Sequence, residues 1–255
     1  MLGSEEVLVA VAILLVATLY SAVGHGGASG YLAVLSLTSF ATMEEAWLKQ
    51  HAWCLNLIVA AIAFHHYYRA GHHVPRLTGI FVVASVPFAL LGGYLHVDGV
   101  VYDTLLSLTL VWASVRLLGL GPDLDEGVVS HPELSRAAPV GAGIGLVSGI
   151  VGVGGGIFLS PLMLLKRWAA PKTAAATAAL FIWVNSAAGL VGSSLSGQWL
   201  VEPVTLAPFA GAVLVGGFVG SRLGAEIAPQ RAVRLVLVVV LLLAAARRGF
   251  EVVGL

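Results

Sequence analysis

Val151-Gly152-Val153-Gly154-Gly155-Gly156 interrupts the apolar stretch 137–165, and four glycines in five positions do not suit a continuous helix. Each costs a helix about 1 kcal/mol relative to alanine. The chain around the break is built for a bilayer. Of its 255 residues 58% are hydrophobic and 10% charged, with a mean hydropathy of +0.96. A soluble domain carries about 25% charged residues. Interrupted backbone at membrane depth must be buried in protein or line a watered cavity.

The pattern occurs twice. Val23-Gly24-His25-Gly26-Gly27 lies about 128 residues before Val151-Gly152-Val153-Gly154-Gly155. Asn56 falls near Asn185 by a similar shift, and Gly92-Gly93 near Gly216-Gly217. Apolar segments run over 7–23, 29–42, 47–67, 74–95 and 100–118, and again over 137–151, 157–165, 172–195, 204–223 and 232–246. The chain therefore divides into an N-terminal repeat (1–119), a polar linker (120–136) and a C-terminal repeat (137–255) within one membrane domain. Internal duplication of this kind is common in transporters.

Charge gives the orientation. Arg69 and Arg76 flank one connection, Lys166, Arg167 and Lys172 a second, Arg222, Arg231 and Arg234 a third. If each glycine-broken pair is a hairpin returning to its starting side, all three share one side. Glu5, Glu6, Glu44, Glu45, Asp98, Asp103 and Glu202 then fall on the other. A single kinked helix would instead place Lys166 and Arg167 opposite Arg69 and Arg76. The hairpin satisfies the positive-inside rule better, with Arg247 and Arg248 as a misfit. It also gives each half an odd number of crossings, so the repeats are expected to be inverted. The segment 29–42 spans about 21 Å as a helix, too short for a hydrocarbon core of about 30 Å. Glu5 and Glu6 precede the first apolar run, and no small-residue cleavage site follows it. That run is read as part of the mature fold.

The segment after each break starts with free N–H groups and the positive end of a helix dipole, a ready site for an anion. Close helix packing through small residues is the plainer explanation of one glycine stretch. Two stretches in register, each followed by an undersized segment, favour a ligand site. The expected binding residues are Gly24, His25, Gly26, Gly27 and Ser29 from the first break and Gly152, Val153, Gly154, Gly155 and Gly156 from the second, with Asn56 and Asn185. His25 stands where the second copy has Val153; it can donate hydrogen bonds or take up a proton with the anion. Ser29 is read as a helix cap or a ligand contact. Thr177 and Ser186 are read as bonding their own helix, and Lys49, Gln50 and His51 as marking the membrane interface. The pairs His65-His66 and His72-His73 lie in an aromatic belt and are not read as a metal site. Cys54 is a buried small hydrophobe. No catalytic constellation, nucleotide loop or cofactor motif is present, and the balanced charge points to no nucleic acid.

At the breaks the chain resembles the TauE/SafE family of sulfite exporters and 4-toluene-sulfonate-uptake-like permeases. The match is strongest from Gly145 to Leu162, a small-residue helix, then Gly-x-Gly-Gly-Gly, then an apolar run holding Pro161. Ala176-Thr177-Ala178, Gly216-Gly217-Phe218-Val219-Gly220-Ser221-Arg222-Leu223 and Arg69-Ala70-Gly71 resemble further family motifs. The first half departs from the pattern at His25, at Ala28-Ser29, and at Asp98 near the place matching Arg222. The resemblance implies transport of sulfite, thiosulfate or organosulfonates.

The expectation is thus an all-α polytopic membrane protein of the cell membrane. It has two inverted repeats, each a glycine-broken hairpin plus three spanning helices, and acts as a secondary transporter of a small sulfur-containing anion. Its partners are that anion and the bilayer; protons as coupling ion and a homodimer stay open. An anion channel sharing the site is the rival. A membrane-embedded enzyme or assembly factor is weakened by the missing catalytic groups.

Overall fold

The structure, a computed structural model, describes residues 3–117, 130, 132–226, 242, 245–246 and 249–250. In chain order the helices are α1 (Ser4–Ser21), α2 (Ala28–Ser36), α3 (Glu45–Arg69), α4 (Pro75–Tyr94), α5 (Gly99–Leu117), α6 (Leu134–Val151), α7 (Gly156–Leu165), α8 (Pro171–Leu195) and α9 (Pro203–Glu226), with a 3-10 turn at Ser39–Thr42. There is no strand among the described residues. Proline opens α4, α8 and α9, where its missing N–H removes no intrahelical bond. Most of the linker and most of the expected last segment, 232–246, lie outside the described residues.

Helices α1, α4, α6, α8 and α9 are long and apolar enough to cross a membrane. Helix α3 has the length, at 25 residues, but carries Lys49, Gln50, His51 and Asn56 inward. It lies in the bundle, against α8 on one side and α9 on another. Helix α2 is shorter than the expected segment 29–42. It ends at Ser36, and the Thr38 hydroxyl donates to the Leu35 carbonyl where the chain turns into the 3-10 segment.

Each glycine break turns its chain back. Beyond α2, the Ser39 N–H donates to Glu5 Oε1 at the start of α1, at 2.8 Å. Beyond α7, the Arg167 carbonyl accepts from the N–H of Ser130, just before α6, at 3.0 Å. Helices α3 and α8 run antiparallel. Gln50 meets Ser193, a Cβ built on Gly189 meets Trp53, and Asn56 meets Ser186. Contacts between the halves come in matching pairs: α4 packs on α6 as α9 packs on α1, and α4 on α8 as α9 on α3. Close approach at the first two uses glycines one turn apart, Gly141, Gly145 and Gly149 on α6 and Gly216, Gly220 and Gly224 on α9. Each faces a backbone carbonyl of the partner helix, where a methyl group would collide.

Charge gathers at the two ends of the bundle, with Glu133, the cap of α6, as the carboxylate at the cationic one. Glu5 is tied to Ser39, the Glu45 carboxylate faces Gly99, and Glu44 and Glu45 share a cavity with His96 and Gln198. The other end holds Arg167 beside Ser130, and Lys172, whose Nζ donates to the Ala225 carbonyl. His72, in the α3–α4 turn, belongs to this second end. Partial burial, and then the Lys172 ammonium, hold its imidazole below the ordinary histidine range.

Candidate functional site

The two breaks meet halfway along α3. Gly26 and Gly154 occupy matching positions, and a Cβ on either would run into the same two side chains, Asn56 of α3 and Ile182 of α8. On Gly154 it would stand 2.7 Å from Asn56 Nδ2 and 2.9 Å from Ile182 Cγ2. Only glycine lets both backbones approach this closely. The backbone itself also demands glycine. The caps of α2 and α7, Gly27 and Gly155, have φ of 99° and 83° and are left-handed. Other residues adopt that region only with strain.

In the first break the polar groups are taken up internally. Asn56 Oδ1 accepts from the Ala28 N–H at 3.1 Å, capping α2 from a neighbouring helix. Its Nδ2 donates to Ser186 Oγ at 3.3 Å. The Tyr31 hydroxyl donates to the Gly26 carbonyl at 2.7 Å, and the Tyr20 and Ser29 hydroxyls share a bond of 3.0 Å. Ser29 therefore does not cap α2; it joins the hairpin arms. His25 is half-buried at the turn. Its Nδ1 lies 2.9 Å from the Val23 carbonyl, which can only accept, so Nδ1 carries a proton. Gly24 rests on Ala175, where a Cβ would be 2.6 Å from that residue's Cα.

The second break is built on the same plan and filled differently. Among the described residues no side chain accepts from the first N–H groups of α7. Ser148, which matches Tyr20 by the 128-residue shift, lies beside Gly155 with its Oγ buried and unbonded. Val153 is buried, and Gly156 packs on Ile182. Asn185, the counterpart of Asn56, faces α4. Its Oδ1 accepts from Ser85 at 2.8 Å while its Nδ2 is buried without a partner. Ser186, not Asn185, answers Asn56. Thr177 bonds Thr78 of α4 at 3.1 Å rather than its own helix.

Three residues read as interface markers are instead in the core. Lys49, Gln50 and His51 are all buried. Gln50 donates to Ser193 and to the Gln198 carbonyl and accepts from the Leu200 N–H. His51 Nδ1 donates to the Trp47 carbonyl at 2.8 Å, and its Nε2 accepts from the Glu202 N–H at 3.3 Å. The pair straps the α8–α9 connection across the start of α3. Lys49 carries Gly152: a Cβ there would be 2.6 Å from Lys49 Cβ. A signal existed in the sequence. Three consecutive polar residues at 100° spacing point in three directions around a helix, so they cannot all face water.

Comparison with known proteins gives the family. Residues 9–248 match the family described as Sulfite exporter TauE/SafE. A probable membrane transporter protein of Sinorhizobium fredii, y4hK, is 34% identical over 244 residues, covering 94% of this chain and 97% of the relative. A probable membrane transporter protein of Bacillus subtilis, YunE, is 35% identical over 86 residues, 33% of this chain and 29% of that protein. No solved structure matches.

Proposed function

The chain belongs to the TauE/SafE family of membrane transporters, and on that premise we propose that it is a secondary carrier of small sulfur-containing anions such as sulfite, thiosulfate or organosulfonates. The anion sits between the two glycine breaks. The observation that carries this reading is the meeting of Gly26 and Gly154 on Asn56 and Ile182. Two interrupted backbones converge halfway along α3, inside the bundle, and α7 keeps N–H groups that no side chain has taken. Helix N-termini of discontinuous segments at mid-membrane hold anions in other carriers.

The paired packing and the antiparallel α3 and α8 favour two inverted repeats, residues 1–119 and 137–255, rocking about the breaks. The cationic end faces the cytoplasm by the positive-inside rule, which suits the plasma membrane. His25, at the turn of the first break, is the candidate for proton coupling.

Thermal-shift measurements on the purified protein test the site. Thiosulfate, sulfite and methanesulfonate are expected to raise Tm, acetate to leave it unchanged, and Gly154→Ala to remove the rise. If no sulfur oxyanion raises the wild-type Tm, the substrate class is wrong. Proteoliposome flux separates mechanisms: saturable flux with counterflow marks a carrier, unitary currents a channel.

A further inference from the structure

Lys49 is the buried charge that the reading above leaves unused. It is 1% exposed and among the largest fully buried side chains. Its Nζ makes no hydrogen bond and no close ion pair among the described residues; the nearest ring, that of Trp53, is centred 6.0 Å away. Glu45, one turn earlier, is the carboxylate that acts on it, but Glu45 Oε1 lies 3.0 Å from the place of a Cβ on Gly99 in α5. Removing an ammonium from water costs several kcal/mol unless a counter-charge offsets it. Ionisable groups kept inside membrane proteins mark substrate and ion paths.

Room for a counter-charge exists. Lys49 lines a cavity of about 300 Å³ together with Glu44, Glu45, His96, Gln198 and Leu200, at the acidic end of the bundle. The Cα and Cβ of Lys49 also pack on Gly152, the first residue of the second break. The lysine thus touches both the cavity and the break whose helix N-terminus is uncapped. The opposite end has no equivalent. There Gly24 rests on Ala175, a methyl group where the second break rests on a lysine.

We infer that Lys49 is the cation of an anion-binding subsite at the acidic end, where a small oxyanion is held on its way to or from the second break. The inference rests on the reading of the chain as an anion carrier. The two carboxylates at the rim keep the subsite weak, as passage requires: an anion must bind well enough to enter and loosely enough to leave. A cation is excluded from the base of the cavity by the ammonium.

The test uses purified full-length protein with thiosulfate as the probe. Reductive methylation with formaldehyde and dimethylamine borane, read by mass spectrometry, is expected to modify Lys49 in free protein and to spare it when thiosulfate is bound. Calorimetric titration is expected to show Lys49→Gln binding thiosulfate at least about 10-fold more weakly, with Lys49→Arg restoring most of the loss, as for hydrogen bonds to charged groups. Equal methylation with and without thiosulfate, or wild-type affinity in Lys49→Gln, overturns the subsite and leaves the carrier reading standing. Failure of the wild type to bind any sulfur oxyanion overturns both. Should Lys49→Gln not fold, protection from methylation in the wild type decides alone.

Discussion

The two glycine breaks share a backbone plan and differ in how their polar groups are satisfied. Both hairpins return to their own starting end, both carry left-handed glycine caps, and both touch Asn56 and Ile182. The first closes on itself. Tyr20 holds Ser29, Tyr31 holds the Gly26 carbonyl, and Asn56 holds the Ala28 N–H. The second leaves Ser148 Oγ unpartnered and its helix uncapped, while Asn185, the match of Asn56, turns to Ser85 of α4 with its Nδ2 unpartnered. Buried polar groups are nearly always bonded, so those left over ask for an explanation. The difference teaches that two glycine breaks can share a backbone shape without sharing the way their polar groups are satisfied. The first break satisfies its polar groups internally, and the second leaves donors without a protein partner.

The largest effect that can break this comparison comes from the caps. Alanine at Gly27 or at Gly155 takes on left-handed strain of about 1–3 kcal/mol. At Gly155 the added methyl also stands 2.8 Å from Phe181 Cε1 and against Ser148, displacing α7's first turn. Misplacement of about 1 Å in a working site costs on the order of 100-fold. Gly155→Ala is therefore expected to lower thiosulfate flux in proteoliposomes by about that factor. Gly27→Ala meets the Tyr31 ring, lowers Tm, and keeps anion-induced stabilisation. Equal loss of flux in both variants would show that the breaks contribute alike.

Next in size are the paired asparagines. Asn56→Leu strands the Ala28 N–H and the Ser186 hydroxyl, and each buried orphan costs about 1–3 kcal/mol. Asn185→Leu loses only the bond from Ser85, about 1 kcal/mol. Denaturation midpoints in detergent are expected to fall further for Asn56→Leu. Thiosulfate affinity, compared at matched stability, is expected to fall further for Asn185→Leu. The reverse order in affinity would place the ligand donors in the first break.

The sequence carried the backbone plan and hid the assignment of partners. Glycine count, register and segment length led to two hairpins, and the 128-residue shift pairs Tyr20 with Ser148 without any structure. What periodicity could not carry is which neighbour lies across from a polar side chain. Asn56 and Asn185 look equivalent along the chain, yet one caps a helix of its own half and the other turns to α4. Lys49, Gln50 and His51 sit near a segment end, as interface residues do. The Gln198–Glu202 connection folds over them and brings them into the core. Nothing in the sequence marks Tyr20 and Tyr31, because an aromatic ring inside an apolar helix is ordinary core; their hydroxyls close the first break.

Tyr20 and Ser148 give the smallest effect and the sharpest contrast, because they stand 128 residues apart at matching places before the two breaks. Tyr20→Phe removes a buried hydroxyl whose partner, Ser29, then loses its bond across the hairpin. That costs about 1 kcal/mol, the net worth of a typical internal hydrogen bond, and should leave anion affinity unchanged. Ser148→Ala removes a buried hydroxyl that has no protein partner. No bond is lost and an unsatisfied group disappears, so stability is expected to hold within about 0.5 kcal/mol or to rise. If Ser148 donates to an anion at the second break, the same change weakens thiosulfate binding by about 3- to 10-fold, the equivalent of one such bond. One copy then affects stability without affinity, and the other affinity without stability. Calorimetric affinities read beside unfolding midpoints check both at once. A Ser148→Ala protein that binds thiosulfate like the wild type would mean that the unbonded hydroxyl faces no ligand, and the second break would lose its place as the donor half.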